Sequence, residues 1–351
     1  MNWLSEFGLF VAEALTIVAA IGAVIALVVR ARGQAAPSRQ SMKIRDRQEY
    51  YRQYREQLED ARLEKGARAA VRKAREKTRA QTLKKSRKAA RKSGSEPTGP
   101  TLWVLDFHGD IRASRESAFS QEITALLPLL TPDDEVLVRL ESGGGLVHSY
   151  GLASAQMDRL KASGARLTVS VDKVAASGGY MMACCADHLM AAPFAVIGSI
   201  GVVAQIPNFH RLLKKNDVDV EVLTAGRHKR TLTLLGENTE EGREKFLEDL
   251  SKTHELFKTH VAARRPRLDM DQVAEGDVWY GTQAVKLGLV DEVLTSDDYL
   301  QRRAEEARIL EVQLVTRKSA LARLGKSASI LVDKGMDRRV QQDMEQRWNR
   351  M

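Results

Sequence analysis

The sequence predicts an α/β fold with a largely parallel sheet, preceded by a membrane-spanning helix and a basic helical arm. Three observations carry this expectation. Strand and helix patterns alternate from Leu102 onward. Residues 7–29, FGLFVAEALTIVAAIGAVIALVV, are apolar apart from Glu13 and Thr16. Residues 30–95 hold 22 Lys or Arg against 7 Asp or Glu, in a chain whose formal net charge is +9. The basic charge therefore belongs to one arm, and the rest of the 351 residues is net negative. A basic globular surface for nucleic acid is not implied, and no nucleic-acid partner is expected.

Residues 7–29, at a rise of about 1.5 Å each, are long enough to cross a hydrocarbon core of about 30 Å. A cleaved signal peptide fits less well. Residues 1–6 carry Glu6 as their only charge, so a basic leading region is missing. Arg30, Arg32, Arg39, Lys43 and Arg45 follow the apolar run directly. The positive-inside rule then favours a single-pass anchor with the arm and globular domain on the cytoplasmic side, although long domains can cross regardless of flanking charge. Residues 40–92 are rich in helix formers and lack Pro, with sparse apolar spacing. They read as a solvated stalk or a surface for anionic headgroups. SGSEPTGP, residues 93–100, is a flexible linker. The expected units are an anchor (1–30), an arm and linker (31–98), a globular domain (99–298) and a charged tail of mostly helical composition (299–351).

Within the globular part, strands are expected at 102–107, 135–141 and 166–172, then in HLMAAP, in AVIGSIGVVAQ and at 217–223. Helices are expected at 117–130, 149–163, 236–265 and 281–289, with an apolar helix running from Ser177 to about residue 187. In a parallel sheet of this kind the functional loops lie beyond the carboxyl ends of the strands. Two Gly-rich loops fall there: ESGGG (141–145) and AASGG (175–179). Backbone amides at such loops can stabilise an anion. They make Gly144 and Gly178 candidate oxyanion donors, with Ser177 as a candidate nucleophile. Glycines of this kind also serve tight turns and close packing alone.

A serine hydroxyl needs an adjacent base. His148, His188 and His228 offer no evident carboxylate partner in sequence, and spacing alone does not select Lys229 from so many basic residues. Cys184 and Cys185 are adjacent, which suits neither a disulfide nor metal-ligand spacing, and they read as small buried hydrophobes. No metal or organic cofactor is expected.

Four ordered motifs then decide between these options: DKVAASGGYMMACCAD, APFAVIGSIGVVAQ, AGRHKRTLT and VWYGTQAVKLGLVDEV. Together they resemble the signal peptide peptidase A family of serine proteases, peptidase family S49, over most of the chain. The resemblance implies the fold shared by the Clp protease and the crotonases, and a bacterial inner-membrane location. It implies a Ser–Lys dyad, with Ser177 as nucleophile and Lys229 as general base. Ser199, in GSIGV, would orient the lysine amine, and the amides of Gly144 and Gly178 would form the oxyanion hole. It further implies peptide or protein substrates, among them membrane-derived or signal peptides, and a homo-oligomer whose sites are shared between subunits. One departure stands out: relatives usually carry proline before the paired glycine, whereas this chain has Gly143. The empty loop is then expected to be more mobile. Two rivals remain at this point. One is a crotonase-like enzyme acting on acyl-thioesters, with Glu141 as a candidate acid–base group. The other is an inactive membrane scaffold.

Overall fold

The computed structural model describes residue 16, residues 40–93 and 99–226, and residues 228–316. The predicted span at 7–29 lies outside the described residues apart from Thr16, and among the described residues no helix is long and apolar enough to cross a membrane. Contacts divide the chain into two units, one of them Lys43–Gln313 and the other Met1–Met42 with Leu314–Met351.

Among the described residues, ten strands form one sheet. In chain order they are β1 (Gln40–Asp46), β2 (Thr101–Gly109), β3 (Glu135–Ser142), β4 (Arg166–Val171), β5 (Val174–Ala176), β6 (His188–Ala191), β7 (Val196–Gly198), β8 (Val278–Tyr280), β9 (Glu292–Val293) and β10 (Arg308–Thr316). The main path runs β1-β10-β2-β3-β4-β6-β9. From β10 to β9 every pair on that path is parallel. A branch leaves it: β5 pairs with β3 and β7 in parallel, and β8 closes the branch antiparallel to β7. Near-continuous burial along β2, β3 and β4 fits a parallel sheet covered on both faces.

The helices are α1 (Arg47–Arg62), α2 (Lys65–Ser93), α3 (Glu116–Leu126), α4 (Val147–Ala162), α5 (Gly178–Ala183), α6 (His210–Lys215), α7 (Glu240–Arg264), α8 (Met270–Val273), α9 (Gly281–Ala284) and α10 (Ser296–Arg303). Helix α3 packs on β2 and α4, α4 packs on α5, and α5 meets α7. Phe107, Phe119 and Tyr150 are fully buried where these layers meet, with the Phe107 and Phe119 rings edge to face at 5.2 Å. Such contacts bury the largest apolar areas per residue and anchor the core.

The arm is not one continuous helix. Its first residues form β1, which joins the sheet beside β10. Asp46 then caps α1 by accepting the Glu49 amide at 3.2 Å. Helices α1 and α2 fold into a hairpin in which Arg72 and Arg75 grip Asp60 at 2.6 and 3.0 Å, and Arg79 reaches Glu49 at 2.7 Å. Sparse apolar spacing is thus compensated by charge-assisted bonds. Gln48 Nε2 donates to the carbonyls of Ala304 and Ala307 at 2.8 and 2.9 Å, stitching the arm to the far end of the domain.

Three further expectations differ. Residues 217–223 alternate like a strand but lie exposed and pair with no strand among the described residues. The strand expected over 195–205 stops at Gly198, because Gly198 and Ser199 both take positive φ, 103° and 51°, and leave the ladder. Beyond residue 298, where a helical tail is expected, ILEVQLVT instead supplies β10, in register with β2 from Arg308 opposite Thr101. Residues 317–351 lie outside the described residues.

Candidate active site

Three neighbouring strand ends position the site. Ser142 of β3 lies opposite Ala175 of β5, and Ala176 lies opposite Gly198 of β7. The loops that leave these strands therefore emerge side by side, carrying Gly143–Gly145, Ser177 and Ser199.

Ser177 sits at the turn from β5 into α5 with φ 52° and ψ −120°. A non-glycine residue held there costs of order 1–3 kcal/mol and persists only where its surroundings impose it. Here the Ser177 amide donates to the Gly198 carbonyl at 2.8 Å, and the Ser199 amide to the Asp277 carbonyl at 2.6 Å. Among the described residues, nothing hydrogen-bonds the Ser177 hydroxyl. Gly144, with φ 89°, lies against this turn: a Cβ there would fall 2.7 Å from both the Gly178 nitrogen and Ser177 Cβ. A Cβ on Gly178 would overlap the Tyr150 ring.

Beneath the loops runs a chain of hydrogen bonds. The Gly144 amide donates to Ser142 Oγ at 3.1 Å. Ser142 Oγ and Tyr150 Oη are 2.6 Å apart, and Tyr150 Oη donates to the Asp110 carbonyl at 2.7 Å. Burial pushes the Tyr150 phenol up, partly offset by the Ser142 bond, so the group keeps its proton. The turn around Asp110 is fixed in its own right. Its carboxylate accepts the Ser114 amide and hydroxyl, each at 2.8 Å, and the Arg112 amide at 3.1 Å. The Ser114 bonds lead in holding the Asp110 carboxyl below the usual carboxylate range. The Leu146 amide then donates to the Ile111 carbonyl at 2.8 Å, tying the Gly loop to this turn.

Gly144, Ser177, Gly178 and Ser199 all line one cavity of about 740 Å³. Met181, Phe257, Val202 and Val203 give it an apolar wall. Lys229 is not among its lining residues. It lies exposed, its amide bonded to the Gly226 carbonyl at 3.1 Å. His228 is exposed beside it, His148 is exposed on α4, and His188 pairs with Glu292 at 3.2 Å. Glu141, the acid–base candidate of the thioester reading, pairs with Lys173 at 3.0 Å and does not line the cavity. The histidine that does line it is His254, on α7, with Nε2 3.2 Å from the Ile200 carbonyl. Nothing in the sequence around His254 marks it. The cysteines are free and buried at the far end of α5. Cys185 Sγ lies 3.2 Å from Ser154 Oγ, and His260 Nε2 lies 2.9 Å from the Met181 carbonyl, so a polar knot pins the helix that begins at Gly178.

This site sits on a chain with clear relatives. A model described as peptidase family S49 N-terminal matches residues 2–157, and one described as peptidase family S49 matches residues 159–310. The chain belongs to peptidase family S49. A probable protease SohB of Haemophilus influenzae is 49% identical over 327 residues, which span 93% of this chain and 93% of that relative. A probable protease SohB of Buchnera aphidicola subsp. Schlechtendalia chinensis is 58% identical over 204 residues, 58% of this chain and 67% of the relative. A putative protease of Methanocaldococcus jannaschii is 31% identical over 197 residues, 54% of this chain and 62% of the relative. As an S49 member the chain is a peptidase, and its mixed, mostly parallel sheet fits that family.

Proposed function

We propose that this S49 peptidase is a membrane-anchored serine endopeptidase that works through a Ser177–Lys229 dyad and an acyl-enzyme. The observation that carries the reading is the strained Ser177 turn set against Gly144 and Gly178 at the mouth of an apolar cavity. Such strain at a half-buried serine has a cost that packing alone does not require.

In this reading the neutral Lys229 amine takes the Ser177 proton as Oγ attacks the peptide carbonyl. The Gly178 amide holds the oxyanion together with the Gly144 amide, which stays bonded to Ser142 Oγ as a shared donor. Lys229 then protonates the leaving amine, and water releases the acyl group. Ser199, at the cavity wall, orients the lysine. The exposed position of Lys229 in the single chain gives assembly a role in completing the site. Segment 202–236 supports this, with Val203 91% and Leu223 88% exposed, a pattern that marks an interaction surface. We therefore read the active form as a homo-oligomer. The apolar wall of Met181, Phe257, Val202 and Val203 suits apolar stretches of peptide, including membrane-derived or signal peptides. The anchor rests on the apolar run at residues 7–29, and the basic residues after it favour a cytoplasmic catalytic domain.

The test is labelling by a fluorophosphonate probe followed by peptide mass mapping. A single adduct on Ser177, absent in Ser177→Ala, is expected. Adduct formation elsewhere, or equal labelling of Ser177→Ala, would remove the assignment. Turnover of an acyl-thioester that persists in Ser177→Ala would favour the crotonase-like alternative.

A further inference from the structure

Tyr150 touches both Ser142 and Gly178, on the two loops of the oxyanion framework, although nothing in the sequence motifs singles it out. It is fully buried at the start of α4. Its ring lies under Gly178, and its hydroxyl lies so near Gly109 that a Cβ on either glycine would overlap it. Its hydroxyl ends the chain that begins at the Gly144 amide.

The proton count along that chain has one solution. A phenol has one hydrogen, and Tyr150 donates it to the Asp110 carbonyl at 2.7 Å, an acceptor that can only accept. Ser142 must then donate its own hydrogen to Tyr150 Oη across 2.6 Å. This leaves the lone pairs of Ser142 Oγ for the Gly144 amide at 3.1 Å. The direction is therefore set from the far end: Asp110 orients Tyr150, Tyr150 orients Ser142, and Ser142 receives Gly144. Without the phenol oxygen, the Ser142 hydroxyl loses its acceptor and its rotor is no longer fixed. The loop it holds has glycine at 143, 144 and 145, so it has no side-chain packing of its own to fall back on.

We propose that Tyr150 is the positioning residue of the oxyanion site, its ring setting the seat of Gly178 and its hydroxyl, through Ser142, holding the Gly144 peptide against Ser177. The inference rests on the Ser177 dyad reading and names a residue that reading does not use. Tyr150 touches no reacting atom; it acts through the two loops that do. Reacting groups misplaced by about 1 Å can cost about 100-fold in rate, so the hydroxyl has leverage well beyond one buried hydrogen bond.

The experiment compares full-length wild type, Tyr150→Phe, Ser142→Ala and the double variant. The readouts are kcat and KM on a fluorogenic peptide, affinity for a peptidyl boronic acid, and thermal melting. The boronate closes a tetrahedral adduct on the serine, so it reports the oxyanion site separately from peptide binding. Tyr150→Phe keeps the ring beneath Gly178 and removes only the relay. It is expected to lower kcat by about 10- to 100-fold with KM within about threefold, and to weaken boronate binding by the same factor as kcat. Ser142→Ala is expected to match it, and the double variant to be no worse than either single change, because all three cut one chain. A merely structural role would instead lower melting temperature and leave kcat per folded, fluorophosphonate-reactive site unchanged. Unchanged kcat in Tyr150→Phe, or additive losses in the double variant, overturns the inference while leaving Ser177 in place. Absence of any Ser177 adduct in the wild type removes the dyad reading and the inference together. If Tyr150→Phe does not fold, Ser142→Ala carries the same expectation alone.

Discussion

Two regions of this domain are built in opposite ways. The cradle around Ser177 is over-determined: three strand ends in fixed register, two serines at positive φ, and glycines with no room for a methyl group. Among its described residues, the segment from Val202 to Thr239, which carries Lys229, has one short helix, no strand, and a row of exposed apolar side chains. One region is finished by the chain's own packing; the other leaves its apolar side chains exposed. In the proposed mechanism the nucleophile and oxyanion site are therefore intramolecular features, whereas the base arrives with assembly. Stability and activity should then respond differently to changes in each region.

The largest expected effect tests the cradle directly. Ser177→Ala should lower peptide cleavage by about 10⁴-fold or more, with melting temperature nearly unchanged, measured by fluorogenic turnover and calorimetry. Lys229→Arg should be almost as damaging, because Arg stays protonated and cannot act as base. Lys229→Arg should leave the isolated fold intact, since Lys229 is exposed. Retained activity in Lys229→Arg would move the base to a group that lines the cavity, and His254→Ala would identify it. Gly144→Ala should cost about 100- to 1000-fold in kcat, on the scale of a lost oxyanion donor. The added methyl meets the Gly178 nitrogen and Ser177 Cβ at 2.7 Å, and the positive φ is strained for alanine.

The smallest effect sharpens the framework side. Asp291 accepts the Leu189 amide at 2.7 Å and both terminal nitrogens of Arg265 at 2.8 and 2.9 Å. Burial alone would raise its pKa, but these bonds outweigh it and the carboxyl titrates below the usual range. Its folded pKa is thus depressed below the unfolded value of about 3.9. The stabilisation is present above that value and is lost as pH falls through the folded pKa. Asp291→Asn should lower melting temperature by a few degrees at neutral pH, and the difference from wild type should shrink below about pH 4.

Much of the cradle was legible because its signals are local. Alternating strands and Gly-rich turns point to strand ends, and the motif resemblance picks Ser177, Ser199, Gly144 and Gly178, which the fold gathers in one cavity. What was not legible depends on long-range pairing. Strand β1 hides in a charged arm because its partner β10 lies more than 260 residues later, and β10 hides in a tail whose composition reads as helical. Tyr150 and His254 sit in ordinary helical stretches, and only the packing of α4 and α7 against the site gives them meaning. The alternation at 217–223 is an apolar pattern that pairs with no strand among the described residues.

The measurement that tests the central claim most directly is cleavage of an unfolded, apolar-rich protein at about pH 8. Full-length wild type and Ser177→Ala would be compared, with products followed by mass spectrometry. A Ser177 peptidase yields defined fragments with wild type and none with Ser177→Ala. Equal cleavage by both proteins would contradict that assignment.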